Sequence, residues 1–136
     1  IQLKINRMFQ EFQMNEKDRP MSILVVEDAF LVGMQLKEDL ESLGYSVVGP
    51  ANSVQKAISL IERHSIHGAV LDVNLGHENS TSIATRLDEL QVPFLFITGY
   101  ETVSVDDQMF SDKTLLRKPI LLSDIQNALS ILSLDS

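Results

Sequence analysis

The sequence predicts an α/β domain: a parallel sheet with helices on both of its faces. Three observations carry that reading. Short apolar runs end at turn residues, as strands buried on both faces do. Stretches with helical apolar spacing separate those runs, and the β-α alternation repeats five times, which a parallel sheet with crossover helices explains. The 136 residues suffice for one domain with its own core, with no internal repeat, low-complexity tract or linker to a second domain.

Residues 1–20 look foreign to the rest. Ile1, Ile5, Met8, Phe9 and Phe12 share one face at helical spacing, with Lys4, Arg7 and Glu11 elsewhere, and Arg19-Pro20 would end such a helix. Met21 stands directly before the first strand. Residues 1–20 are read as an N-terminal extension, either a leader or fragment edge, or an amphipathic helix docking on the domain or on another copy. The last case predicts a homodimer through this segment. Residues 21–136 form the domain.

Ser22–Val26 is the first strand and runs into Glu27-Asp28. From Ala29 to Leu43 the spacing is helical, with Val32, Leu36, Leu40 and Leu43 in one stripe and Gly44 at the left-handed cap. Tyr45 to Val48 reads as a strand. Ser53 caps a helix to about Arg63, with Val54, Ala57, Ile58 and Ile61 inward. The central strand, Gly68-Ala69-Val70-Leu71-Asp72, precedes a Gly-containing turn at Gly76. A helix from about Ser80 to Leu90 follows, then the strand Phe94–Ile97, ending at Thr98-Gly99-Tyr100. Residues 101–113 are polar with several β-branched positions, so any helix there is weak by propensity. Thr114–Arg117 is a last short strand before Lys118-Pro119. Ile125, Ala128, Leu129 and Leu132 make a final amphipathic helix.

Composition excludes several functions. No cysteine means no disulfide, thiol catalysis or zinc thiolate site, and a net charge of -8 opposes a nucleic-acid surface. No apolar run approaches membrane-span length, so the expected setting is cytoplasmic, with no membrane partner.

Polar groups follow the apolar runs directly at four strand ends: Glu27 and Asp28, Asp72, Thr98, and Lys118. In a parallel sheet all of these reach the carboxyl edge, where ligands bind in open α/β folds. Three crowded carboxylates favour a hard divalent cation with oxygen ligands, most simply Mg²⁺. Thr98 adds a hydroxyl donor and Lys118 a compact positive charge, which suits a metal-bound phosphoryl group. Asp72, at the centre, is the natural nucleophile for an acyl phosphate. Singly each feature is weak, since an acidic pair after a strand is most often a charge at a helix N-terminus. The conjunction in one order and register is far more specific.

On these residues the sequence resembles the receiver domain of bacterial two-component response regulators, over about residues 21–134. The resemblance implies the five-stranded flavodoxin-like (βα)5 fold with strand order 2-1-3-4-5, an order for which the known example is itself a receiver. It implies Asp72 as phosphoacceptor, Glu27 and Asp28 as the acidic pair for Mg²⁺, and a backbone carbonyl of Asn74 as a further metal ligand. It implies that Thr98 and Lys118 hold the phosphoryl oxygens and that Lys118–Pro119 is a cis peptide, which only proline makes accessible. The function implied is a stand-alone phosphoacceptor regulator, an enzyme only in that it catalyses its own phosphorylation and dephosphorylation. Its partners would be a histidine kinase or histidine phosphotransferase and a downstream protein. Pro93-Phe94-Leu95-Phe96-Ile97-Thr98-Gly99-Tyr100 is similar to a subgroup served by kinases of the HWE and related classes.

Three positions depart from the family pattern. Gly76 and Ser80 stand where most receivers have proline and glycine, and Leu115 replaces the aromatic switch residue. With no ring to swing, the relay is expected to pass through Gly99, Tyr100 and the 101–113 stretch. Pro119 completes this switch region.

Phe30 and Met34 lie opposite the apolar stripe of their helix with Leu31 on the flank, so a docking surface beside the acidic pair is expected. His64, His67 and His77 read as solvated, and Gly49 and Gly99 as residues where backbone approaches closely. The alternative reading is a receiver-like interaction module that is never phosphorylated, against which the intact site speaks. A haloacid-dehalogenase-type phosphatase would want aspartate at 74, where Asn74 stands. A dinucleotide-binding domain would want a Gly-rich loop after the first strand.

Overall fold

The computed structural model describes residues 19–99 and 112–134. The apolar face read in residues 1–20 therefore lies outside the described residues, as do Tyr100 and most of the 101–113 stretch.

The sheet has five parallel strands: β1 (Ser22–Val26), β2 (Ser46–Ala51), β3 (Gly68–Asp72), β4 (Phe94–Thr98) and β5 (Leu115–Arg117). Their order is β2-β1-β3-β4-β5, the expected one. The described helices are α1 (Phe30–Ser42), α2 (Val54–Arg63), α3 (Thr81–Glu89) and α4 (Leu122–Ile131). Alternation along each strand feeds two cores. Leu24, Val26, Ala69 and Leu71 face Ala57, Ile61, Ile83 and Leu87 of α2 and α3. Ile23, Val25, Val70 and Ile97 face Leu36, Leu40, Ile125 and Leu129 of α1 and α4. Both faces are covered, so β1, β3 and β4 are apolar almost throughout.

Gly44 takes φ +98 at the end of α1, as its position predicts, and the Ser53 hydroxyl accepts from Lys56 N at 3.2 Å to cap α2. β2 corrects the expected boundaries: it starts at Ser46 and continues through Gly49-Pro50 to Ala51. Gly-Pro would stop a central strand, but β2 is an edge strand, where a missing N–H costs no ladder bond. Gly49 does mark a close backbone approach. Its φ is +102, and a Cβ there would lie 2.7 Å from Val25 O. Gly99 does not: a Cβ would meet only Lys118 Cδ, at an ordinary 3.6 Å.

His67 also differs from expectation. It is exposed, yet its Nδ1 accepts from Ser22 N at 2.9 Å, satisfying the first donor of β1. At the other end of the chain Leu134 folds back onto the sheet. Its carbonyl accepts from the buried Tyr45 hydroxyl at 2.5 Å, and its side chain fills the space over Gly68.

Candidate functional site

Register brings the strand ends together. Val26 pairs with both Ala51 and Leu71, Asp72 with Ile97, and Thr98 with Arg117. One residue past the ladder, Glu27 N donates to Ala51 O at 2.9 Å, Val73 N to Ile97 O at 3.0 Å and Lys118 N to Thr98 O at 2.8 Å. These bonds fix Glu27, Asp72, Thr98 and Lys118 at one edge. The Lys118–Pro119 peptide is cis, as expected, and Gly49–Pro50 is cis as well.

The buried polar residues among those described are Glu27, Asp72, Ser80 and Thr98, all in this region. Asp28 is exposed, and carboxylate oxygens of Glu27, Asp28 and Asp72 lie within 4.8 Å of one another. Lys118 Nζ sits between the two buried acids, 2.5 Å from Glu27 Oε1 and 3.1 Å from Asp72 Oδ2. Asp72 Oδ1 accepts from Asn74 N at 3.3 Å. Lys118 Nζ thus pairs with Glu27 Oε1, while Glu27 Oε2 is buried with no hydrogen-bond partner among the described residues.

Electrostatics follow from this crowding. Burial pushes the Glu27 carboxyl up to about 8; the adjacent Asp72 adds to the rise and Lys118 opposes it. Burial by itself would lower the Lys118 ammonium, but Glu27 and Asp72 outweigh it and raise the group. Two buried acids and a third at the mouth share one lysine, which leaves the buried Glu27 Oε2 without a donor or cation among the described residues. A hard divalent ion fits that donor set.

The loop after Asp72 was not foreseen in form. Asn74–Leu75 and Glu78–Asn79 pair as a small antiparallel hairpin with Gly76-His77 at its tip. Gly76 has φ +68, which proline cannot adopt; its Cβ position faces Asp28 Oδ2 at 3.9 Å. Ser80 closes the loop, with its backbone N donating to Val73 O at 3.2 Å and its hydroxyl at 3.4 Å. Sequence reading passed over Ser80 as a positioning residue. The only available signal was a polar residue directly before an apolar helical pattern. Thr81 N, meanwhile, is capped by Asn79 Oδ1 at 3.0 Å.

Beside the acids, Phe30 and Leu31 are 75% and 80% exposed, and Met34 lies at 37% on the same helix. Leu115 is half-buried, opposite Phe96 in register, against the α2/α3 side core.

Comparison with known proteins agrees with this architecture. The response regulator receiver domain family matches residues 23–130. The transcriptional regulatory protein PdtaR of Mycobacterium tuberculosis is 26% identical over 115 residues, covering 82% of this chain and 56% of that protein. The phyllosphere-induced regulator PhyR of Methylorubrum extorquens is 27% identical over 116 residues, covering 83% of this chain and 43% of that protein. The chain thus spans about half the length of these curated relatives. Among solved structures, SdrG from Sphingomonas melonis Fr1 superposes with a TM-score of 0.76 at 38% identity, covering 85% of this chain and 98% of that one.

Proposed function

The chain belongs to the response regulator receiver domain family, and on that premise we propose that it accepts a phosphoryl group on Asp72 and signals by a change of shape to a protein partner. The donor is a phosphohistidine on a histidine kinase or histidine phosphotransferase. One observation supports this most: Asp72 is buried at the sheet edge, with Lys118 3.1 Å from one oxygen and two further carboxylates within 4.8 Å.

Glu27, Asp28, Asp72 and the Asn74 carbonyl would hold Mg²⁺, Glu27 through water. Bound there, the ion offsets the charge of the carboxylates and of the incoming phosphoryl oxygens. An Asp72 oxygen attacks phosphorus in line, the P–N bond of the phosphohistidine breaks, and the imidazole leaves with the electron pair. Lys118 exchanges its contacts with Glu27 and Asp72 for the phosphoryl oxygens, and the Thr98 hydroxyl donates to another. Water attack on the acyl phosphate later restores Asp72, so the chain turns over its own phosphoryl group and no separate substrate. Gly99 leaves the approach beside Thr98 open.

Phe30, Leu31 and Met34 form the surface on which the phosphohistidine-bearing helix docks, since transfer requires close approach beside the acidic pair. The Pro93–Tyr100 run supports a donor of the HWE or a related class. The relay outward runs through Thr98, Gly99, Tyr100 and the peptide at Pro119, with Leu115 serving as packing.

The test is mass spectrometry after incubation with Mg²⁺ and acetyl phosphate. One acid-stable, base-labile phosphoryl group is expected, and Asp72→Asn should abolish it. Uptake undiminished in Asp72→Asn would overturn the assignment, and no uptake in the unaltered chain, from either acetyl phosphate or a histidine donor, would favour the unphosphorylated interaction module.

A further inference from the structure

Among the described residues, Glu27, Asp72, Thr98 and Ser80 are the buried polar ones, and only Ser80 has no part in the chemistry above. It stands directly before α3, where a serine hydroxyl ordinarily accepts from the first N–H groups of the helix. Ser80 makes no such cap, and Asn79 Oδ1 accepts from Thr81 N at 3.0 Å instead. The Ser80 hydroxyl and its backbone N both donate to Val73 O, at 3.4 and 3.2 Å. A buried hydroxyl is costly unless it is bonded. Here its bond goes to a carbonyl that already has a donor.

That carbonyl belongs to the Val73–Asn74 peptide, and the other side of the same plane meets the phosphoacceptor. The peptide is trans, so its C=O and N–H point in opposite directions from one rigid unit. Ser80 holds the C=O, and the N–H, on Asn74, donates to Asp72 Oδ1 at 3.3 Å. The preceding plane is fixed separately, by Val73 N donating to Ile97 O at 3.0 Å. A rotation that took the Val73 carbonyl off Ser80 would also take the Asn74 N–H off Asp72.

We propose that Ser80 is a positioning residue for Asp72: by holding the Val73 carbonyl it aims the Asn74 N–H at Oδ1 and keeps Oδ2 turned toward Lys118. This rests on the phosphoacceptor reading given above. Asp72 Oδ2 lies 3.1 Å from Lys118 Nζ, so the two oxygens have different partners, and together these fix the plane of the carboxylate. Held at one oxygen only, the group would turn about its last side-chain bond, a torsion with a broad range in aspartate. Small errors in the placing of a nucleophile cost rate. The same plane leads into Asn74, whose carbonyl would hold Mg²⁺, so loosening Ser80 loosens that ligand too.

Ser80→Ala tests this, since it removes the hydroxyl and leaves the backbone donor. Thr85→Ala is the control, a lost hydroxyl whose bond, to Thr81 O at 2.9 Å, stays within α3. Amide exchange is followed first, without Mg²⁺ or a phosphodonor. In Ser80→Ala the Asn74 amide should exchange about two- to ten-fold faster relative to the Val73 amide, the range set by one neutral hydrogen bond. In Thr85→Ala the ratio of the two should stay as in the unaltered chain. An unchanged ratio in Ser80→Ala would overturn the proposal, whether both amides kept their rates or both rose together through general loosening.

With Mg²⁺ and acetyl phosphate, Ser80→Ala should take up its phosphoryl group more slowly by a similar factor, and Thr85→Ala at the unaltered rate. Equal rates in all three proteins would also overturn the proposal. Failure of the phosphoacceptor reading has a different signature: the unaltered chain takes up no phosphoryl group while the exchange ratio still shifts in Ser80→Ala. Ser80 would then orient Asp72 in a chain that is not a phosphoacceptor.

Discussion

Replacing Glu27 with glutamine should remove a pH dependence of stability that the unaltered protein shows without Mg²⁺. Glu27 titrates near 8 in the folded chain, against 4.5 for a free carboxyl. Between those values the folded state keeps a proton that the unfolded state has lost. The stability contributed by protonated Glu27 is therefore complete below about 4.5 and disappears as pH rises through about 8. The limiting slope for one proton is about 1.4 kcal/mol per pH unit. Sharing of charge with Asp72 and Lys118 spreads the titration and makes the actual slope shallower. From about pH 6 to about pH 7.5 the melting temperature should then fall by roughly 5 °C for a domain of this size. The Glu27→Gln variant keeps the shape without the titration, so its curve should be flatter by that amount. Saturating Mg²⁺ holds the carboxylate charged and should raise the unaltered protein's melting temperature more at the higher pH. Thermal melts with EDTA and with Mg²⁺ across this range decide it. Parallel curves for the two proteins in EDTA would refute the assignment of the buried proton to Glu27.

Two further outcomes are expected. Phe30→Ser/Met34→Ser should slow transfer from a phosphorylated histidine donor by at least about ten-fold, in the range of lost interface anchors, while acetyl phosphate labelling stays constant; equal loss with both would assign these residues to the fold. Beryllofluoride with Mg²⁺ should slow amide exchange just beyond Thr98, and Leu115→Ala should cost about 2–3 kcal/mol in denaturant unfolding yet leave that slowing intact; its disappearance in the variant would make Leu115 part of the relay.

The strand-end constellation was legible because the polar residues close apolar runs whose lengths fix where they end, Lys118 one residue further on after Arg117. That reasoning needs no long-range information, and Glu27, Asp72, Thr98 and Lys118 indeed meet at one edge. The hairpin after Asp72 was not legible. Asn74–Leu75 and Glu78–Asn79 are too short to show a period, and Gly76 announced only a turn. The end of β2 was misread because Gly49-Pro50 breaks most strands, and only the strand order reveals that β2 lies at an edge. The His67–Ser22 bond joins residues 45 apart, a pairing no local pattern encodes. Nor could spacing tell that Lys118 bridges both buried acids.

The closure of the chain at Leu134 has a genetic consequence. Gly68 and Leu134 share one volume: a methyl group on residue 68 would collide with Leu134 Cδ1. A defect at either position is thus a defect in a fit between two residues far apart in sequence. Gly68→Ala should push aside the end of the Leu134 side chain and crowd Ile23 Cδ1, 3.3 Å away, and a smaller side chain at 134 should relieve that crowding, the Tyr45 hydroxyl bond to the Leu134 carbonyl surviving because it uses backbone. A change at residue 68 is thus felt at residue 134, and a reporter joined to this protein is best attached beyond it.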